Sequence, residues 1–255
     1  MILCIIQARM GSSRLPGKVM LEVCNRPLLQ LEIERVRHAR KIDGIFVATT
    51  VLQPDLRIKE LCQVIGTECY LGSETDVLDR YYKAAKAFGA TQGDSIIRIT
   101  ADCPLIDPTV IDNVIELFME TDADYASNVN PPTYPDGLDV EVFKFSALER
   151  AWNEACLVSE REHVTPFIKN HNEYFKQANL VNSVDLSGLR WTVDEPEDFE
   201  FVKSVYENMY YENPLFLTTQ ILEFLKVHPE IAAKNRGFYR NEGYDISLKN
   251  DRMIK

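Results

Sequence analysis

Short continuous apolar runs alternate along the chain with longer stretches in which apolar residues recur every three or four positions. The runs predict strands at 2–6, 44–49, 68–71, 95–100 and 125–127. Between them, the spacing of Leu28, Leu31, Ile33 and Val36 predicts a helix, as do the patterns at 56–65, 75–88 and 107–120. Local punctuation agrees. Pro27 and Pro108 suit a first helical turn, Asp107 suits a cap, and Gly66 and Gly89 suit helix ends. The strands are continuous rather than alternating, which fits a mainly parallel central sheet covered by helices on both faces, an α/β fold.

The second half is less regular. Strands are expected at 140–143 and 189–193, and helices at 146–156, 159–170, 196–211 and 218–227, with Ser159 and Glu162 reading as a capping box. The most loop-like stretch is 128–137, NVNPPTYPDG. Residues 1–234 are expected to form one domain, with a ligand-binding half at 1–127 and an insertion at 128–190, followed by a tail at 235–255. The 255 residues carry 28 Lys+Arg against 39 Asp+Glu, a net charge of −11. An acidic chain is poorly suited to neutralising a nucleic-acid backbone. No apolar run approaches the roughly 20 residues of a membrane span, and none resembles a signal peptide. The six cysteines form no CxxC pair and read as reduced thiols of a cytoplasmic protein.

Against this acidic background the first acid is Glu22, whereas Arg9, Arg14 and Lys18 precede it in the loop QARMGSSRLPGK, residues 7–18. Ligands of open α/β sheets bind at the carboxyl ends of strands. Gly11 and Gly17 allow close backbone approach, Ser12 and Ser13 add short donors, and the arginines can fork onto phosphate oxygens. A polyphosphate is the natural ligand. The loop is not a Walker P-loop, because Gly11 and Gly17 enclose five residues and Val19 follows Lys18.

This loop resembles the nucleotide-binding loop of the cytidylyltransferases that make CMP-activated sugar acids. RITADCPLIDP (98–108), GSETDVLDRYY (72–82), DGLDVEVF (136–143), SEREHVTPF (159–167), WTVDEPEDF (191–199) and RNEGYDISL (240–248) resemble the SpsF-like branch of that family, related to the CMP-Kdo and CMP-acylneuraminate synthetases. The resemblance implies a Rossmann-like nucleotidyltransferase fold, CTP as substrate, Mg²⁺ as cofactor, a homodimer, and a role in cell-surface or spore-coat polysaccharide synthesis. It places nucleotide contacts at Ala8, Arg9, Met10, Gly11, Ser12, Ser13, Arg14, Lys18, Asp79, Arg80 and Thr100. Arg14, Lys18 and Asp102 become the catalytic residues. Preference for cytosine comes from the resemblance alone.

Mg²⁺ usually takes one or two protein carboxylates together with phosphate oxygens. Asp102 follows the strand at 95–100 and Asp194 that at 189–193, so both can reach one sheet edge; the family pattern makes them the metal ligands. The literal DxD of Asp122 and Asp124 precedes a strand instead, and is read as a decoy. Cys103 with His163 could form a thiol and base, but a small apolar role suits Cys103 better. Asp136, Asp139 and Glu141 suit either sugar hydroxyls or a solvated strand face. A sugar acid would be repelled there unless Arg161, His163 or Lys169 offset the charge, so a neutral or amino sugar stays open. So do a glycosyltransferase using a sugar nucleotide, a nucleotidyltransferase for a non-sugar acceptor, and a non-catalytic binding protein. The last would lack a metal aspartate or loop cation, and none is missing.

Overall fold

A computed structural model describes residues 1–254 of the chain. β1 (Ile2–Gln7) leads through a 3-10 turn at Lys18–Met20 and a small ribbon, β2 (Glu22–Val23) with β3 (Arg26–Pro27), into α1 (Leu28–Val36). β4 (Gly44–Thr50), α2 (Leu56–Val64), β5 (Glu68–Gly72), α3 (Val77–Ala87), β6 (Ser95–Thr100), α4 (Pro108–Thr121) and β7 (Tyr125–Ser127) then alternate as the apolar spacing predicts. β8 (Glu141–Lys144), α5 (Phe145–Glu154), α6 (Val158–His163), α7 (Pro166–Asn170), β9 (Gln177–Asn179), α8 (Pro196–Met209), α9 (Thr218–Val227), α10 (Pro229–Ala232) and α11 (Glu242–Lys249) follow.

Seven strands form one sheet in the order β5-β4-β1-β6-β8-β7-β9. β5, β4, β1 and β6 are parallel, whereas β8 runs antiparallel between β6 and β7. The mainly parallel α/β fold expected from the sequence is therefore present, with one reversed strand slotted in. The chain leaves β1 toward β4 and β5 and then returns to β6 on the opposite side of β1. This reversal opens a crevice beyond the end of β1, where ligands of such sheets lie. Gln7 is level with both Ala48 and Thr100. The loop after β1 and the turn after β6 therefore leave the sheet side by side.

Burial explains the continuous strands. Cys4 and Ile6 point into a core built with α1, α4, α8 and α9, and Leu3 and Ile5 into a second core built with α3, α5 and α7. Each face removes a full layer of aliphatic side chains from water, at roughly 25 cal/mol per Å² of apolar area. Among the described residues, no helix is long and apolar enough to cross a membrane. All six cysteines are free.

Four expectations from the sequence need correction. Residues 189–193 form no strand; Arg190 makes a single parallel bridge with Asp136, and the chain bends at Thr192. The helix expected at 159–170 is broken into α6 and α7, because Val164 has φ +71° and Pro166 starts a new turn. The capping box is also displaced. Glu160, not Glu162, accepts from the backbone of Cys156 and Leu157, and Ser159 Oγ donates to Asp251 instead. Finally, the segment expected as a tail contains α11, docked on α6.

Candidate active site

The loop after β1 is pinned from within. Met10 N donates to Asp55 Oδ1 at 2.6 Å, Gly17 N to Met10 O at 2.9 Å, and Leu15 N to Ser12 Oγ at 3.3 Å. Asp55 is itself buried and accepts from the Thr50 hydroxyl. Gly17 adopts φ +73°, the left-handed conformation that turns the chain into Lys18. A side chain at Gly11 would meet nothing within 4 Å, so its surroundings leave an open approach to the backbone. Ala8 is buried and ties the loop to β4 through Ala48 O, while Ser13 is exposed.

Lys18 joins the two aspartates that sequence reasoning paired. Its Nζ donates to Asp102 Oδ2 and to Asp194 Oδ1, each at 2.8 Å. Arg14 Nη2 lies 3.1 Å from the same Asp194 oxygen, and its Nη1 reaches Glu195 at 3.1 Å and Glu242 at 3.0 Å. Burial works against ionisation of both partners of the central pair. The two carboxylates nevertheless hold the Lys18 ammonium well above its usual range, and Lys18 holds Asp102 down to about 2. Asp102 therefore stays an anion at neutral pH.

Asp194 reaches this point without a strand beneath it. Val193 N donates to Asp102 O at 2.8 Å and Thr192 Oγ1 to the same carbonyl at 3.1 Å, so the two aspartates share a backbone stitch. Arg190, four residues earlier, reaches Asp194 Oδ2 at 3.1 Å, Asp198 Oδ2 at 2.9 Å and Asp136 Oδ2 at 3.2 Å. Asp198 is fully buried and accepts from the backbone N–H groups of Asp194 and Glu195, fixing the start of α8. Of the acids crowding this turn, Asp198 is thus the clamp, and Asp194 is the one that meets Lys18 and Arg14.

The remaining candidates separate. Arg80 is buried; its Nη1 donates to Ser73 O at 2.6 Å, and its Nε has no partner among the described residues. Burial, and to a smaller extent the nearby Arg9 guanidinium, depress its pKa. Arg9 itself is exposed and makes no ion pair among the described residues. Asp79, by contrast, accepts from Trp152 Nε1 at 2.8 Å and pairs with Lys83, so it braces α3 against α5. Thr100 Oγ1 lies 3.5 Å from Cys103 Sγ, and burial pushes that thiol far above its ordinary range, which removes Cys103 as a nucleophile.

On the other side of the crevice, Glu141 is not free to receive sugar hydroxyls. It accepts from Tyr125 and Thr165 and pairs with Arg98 and Lys169. Arg161 is engaged by Asp76 and Trp152 O, and His163 Nε2 lies 2.9 Å from Ser247 Oγ. Neither takes the offsetting role that the sequence offered it; of the three groups named there, Lys169 alone pairs with the acidic cluster, at Glu141. Burial lowers His163 to about 4, so it is neutral at pH 7. The cations that face Asp136 and Asp139 are instead Arg190 and Arg240, the latter also donating to Tyr134 O at 3.1 Å. Burial, reinforced by Asp139, pushes Asp136 up to about 7. The DxD decoy holds Lys144 with both aspartates, at 3.1 and 3.0 Å, away from the crevice.

Among the described residues, no group of three or more His, Cys, Asp or Glu converges as a self-sufficient metal cage. Two convergent carboxylates do fit Mg²⁺, which completes its shell with phosphate oxygens and water. That both share one ammonium shows that their oxygens can meet on a single cation. Sequence reasoning missed Asp55, Arg190, Asp198, Arg240 and Glu242. The Arg240–Glu242 motif was visible, but a polar tail carries no apolar period to place it.

A family model described as cytidylyltransferase matches residues 3–223. An uncharacterised protein of Methanocaldococcus jannaschii is 40% identical over 232 residues, covering 90% of this chain and 92% of its own. The spore coat polysaccharide biosynthesis protein SpsF of Bacillus subtilis is 31% identical over 245 residues, covering 91% and 97%. An 8-amino-3,8-dideoxy-manno-octulosonate cytidylyltransferase of Shewanella is 36% identical over 119 residues, 46% of this chain and 47% of its own. The solved structure of a cytidylyltransferase from Leptospira borgpetersenii superposes with a TM-score of 0.86 at 33% identity, over 94% of this chain and 99% of that one.

Proposed function

The chain belongs to the cytidylyltransferase family, and on that premise we propose that it transfers CMP from CTP to a hydroxyl of a sugar or sugar acid, with release of pyrophosphate, for the synthesis of a surface polysaccharide. The observation that carries this reading is the meeting of Arg14, Lys18, Asp102 and Asp194 at one point beyond the end of β1. The triphosphate lies along residues 9–18, with Arg9, Arg14 and Lys18 on its oxygens and the loop backbone beneath it. The acceptor hydroxyl attacks the α-phosphorus in line, the new P–O bond forms as the bond to the β-phosphate oxygen breaks, and the hydroxyl proton passes to solvent. Arg14 and Lys18 stabilise the charge that develops on pyrophosphate. Such catalysis is positioning and charge neutralisation, without an enzyme nucleophile.

Mg²⁺ belongs to the same proposal. Asp102 and Asp194 would hold it, and it would neutralise phosphate charge and align the phosphates. The acceptor lies on the β8 side, near Asp136 and Asp139. Arg190 and Arg240 offset both carboxylates, which favours an acidic sugar over the repulsion that the sequence alone implies. Spore-coat polysaccharide as the destination, the cytoplasm as the location and a homodimer as the assembly complete the reading.

Pyrophosphate release, measured with each nucleoside triphosphate against a panel of sugars and sugar acids, tests it. Release is expected with CTP and an acidic sugar. A glycosyltransferase would release none, and silence with every triphosphate would remove the proposal.

A further inference from the structure

Residues 235–247 cross the crevice from one wall to the other. Asn235 is anchored on Arg190 O and Asp198 Oδ1, at 2.8 and 2.9 Å. Phe238 lies under the Arg190 guanidinium at 5.7 Å, and Arg240 pairs with Asp139. Glu242 then meets Arg14, and α11 continues onto α6, where Ser247 donates to Glu162 at 2.9 Å and Tyr244 meets His163 edge-on. The strap therefore passes over both the nucleotide side and the acceptor side.

Two features set this segment apart from the rest of the fold. It lies outside residues 3–223, the part that matches the family model. And α11 buries no residue; Ile246 and Leu248 are exposed, so rim polar contacts rather than core packing hold it down. Segments with little buried apolar area open at low free-energy cost. Glu242 is itself half exposed, yet it occupies Nη1 of the arginine assigned to the triphosphate.

We infer that residues 235–250 form a strap gating the site, with Glu242 as an internal anion that the triphosphate displaces from Arg14. The inference rests on the reading of Arg14 as a triphosphate ligand. Displacement places like charges side by side and so releases the strap. Release loosens the grip of Arg240 on Asp139 and opens the acceptor side after the nucleotide has bound.

Equilibrium titration with inorganic tripolyphosphate, and separately with CTP, tests the gate in the full chain. An exposed pair contributes little, so Glu242→Gln should tighten binding of either probe by about two- to fivefold. Hydrogen exchange across 237–250 should accelerate when either probe binds to the unaltered protein. Equal or weaker binding by Glu242→Gln, or exchange that is unchanged or slowed, would overturn the inference. If tripolyphosphate behaves as expected but CTP releases no pyrophosphate with any acceptor, the gate stands and the cytidylyl reading falls. If CTP supports turnover while Glu242→Gln binds it no better, only the gate falls.

Discussion

Arg14 and Lys18 do different work despite sharing Asp194. Lys18 is nearly buried and delivers a point charge between two carboxylates, whereas Arg14 is about a third exposed and spreads its fork over three acids. Replacing Arg14 with Ala should lower kcat about 100-fold, the size of one lost electrostatic donor in a transition state. Steady-state kinetics check this, and a variant turning over normally would strip Arg14 of its role. Asp102→Asn keeps the shape of the site but loses the negative charge that faces Lys18 and that we propose holds Mg²⁺. It should abolish divalent-metal-dependent turnover; a metal titration curve that matches the parent protein would exclude Asp102 from the metal site. These residues were legible because chemistry and spacing coincide: cations without local counter-charges, and aspartates after apolar runs. Glu141 was misread because an acid on a strand looks identical whether it faces solvent or, as here, four internal partners. Arg240 was missed because Asp139 lies far away in sequence; Arg190 has near partners in Asp194 and Asp198, but its link to the distant Asp136 shows only in the fold.

At the level of elements, the start of α8 is the critical junction. It holds Asp194 through Asp198, which caps the helix and pairs with Arg190 in a place closed to water. Asp198→Ala leaves Arg190 with Asp194 and Asp136 but strands the N–H groups of Asp194 and Glu195, so it should cost about 1–3 kcal/mol in denaturant unfolding. Neighbouring Glu197 is exposed, and Glu197→Gln should change stability by less than about 0.5 kcal/mol. Similar losses from the two variants would contradict the division of labour in this turn. Buried apolar residues in 189–193 explain why the sequence reads as a strand there. Val193 and Trp191 are buried, and their backbone donors go to Asp102 and Asp136, but a single bridge is too little pairing to make a ladder. The break between α6 and α7 follows from Pro166, whose ring cannot continue a helix that began at Val158.

Over the whole molecule, acid stability should follow from buried carboxylates. Burial opposes ionisation of Glu141, but Lys169, Arg98 and the hydroxyls of Tyr125 and Thr165 outweigh it and hold the group at about 2, against an ordinary 4.5. A depressed folded pKa stabilises above the unfolded value and loses that contribution as pH falls. Stability should therefore drop by on the order of 3 kcal/mol between pH 4.5 and 2 from this group alone. Asp136, raised to about 7, gains stability as pH falls toward 4, whereas His163, lowered to about 4, loses it below its ordinary 6.5. Those two largely offset, so the steep loss should begin only near pH 4.5. Urea unfolding across pH 2–7 checks this, and a slope that begins near pH 6 would refute it.

The alternating apolar runs were enough to dictate a mainly parallel sheet with helices on both faces, because side-chain periodicity and burial are local properties of the chain. The basic loop and Asp102 were legible for a similar reason: the ends of parallel strands lie at one edge whatever the details, whereas Asp194 was expected after a strand that does not form and reaches the same point through the Val193–Asp102 stitch. Which acids would be left facing the crevice was not legible. That depended on β8 entering antiparallel beside β6, on the stitch between Val193 and Asp102, and on a C-terminal strap with no apolar pattern. Charge pairing acts through space, and only the folded chain sets those distances.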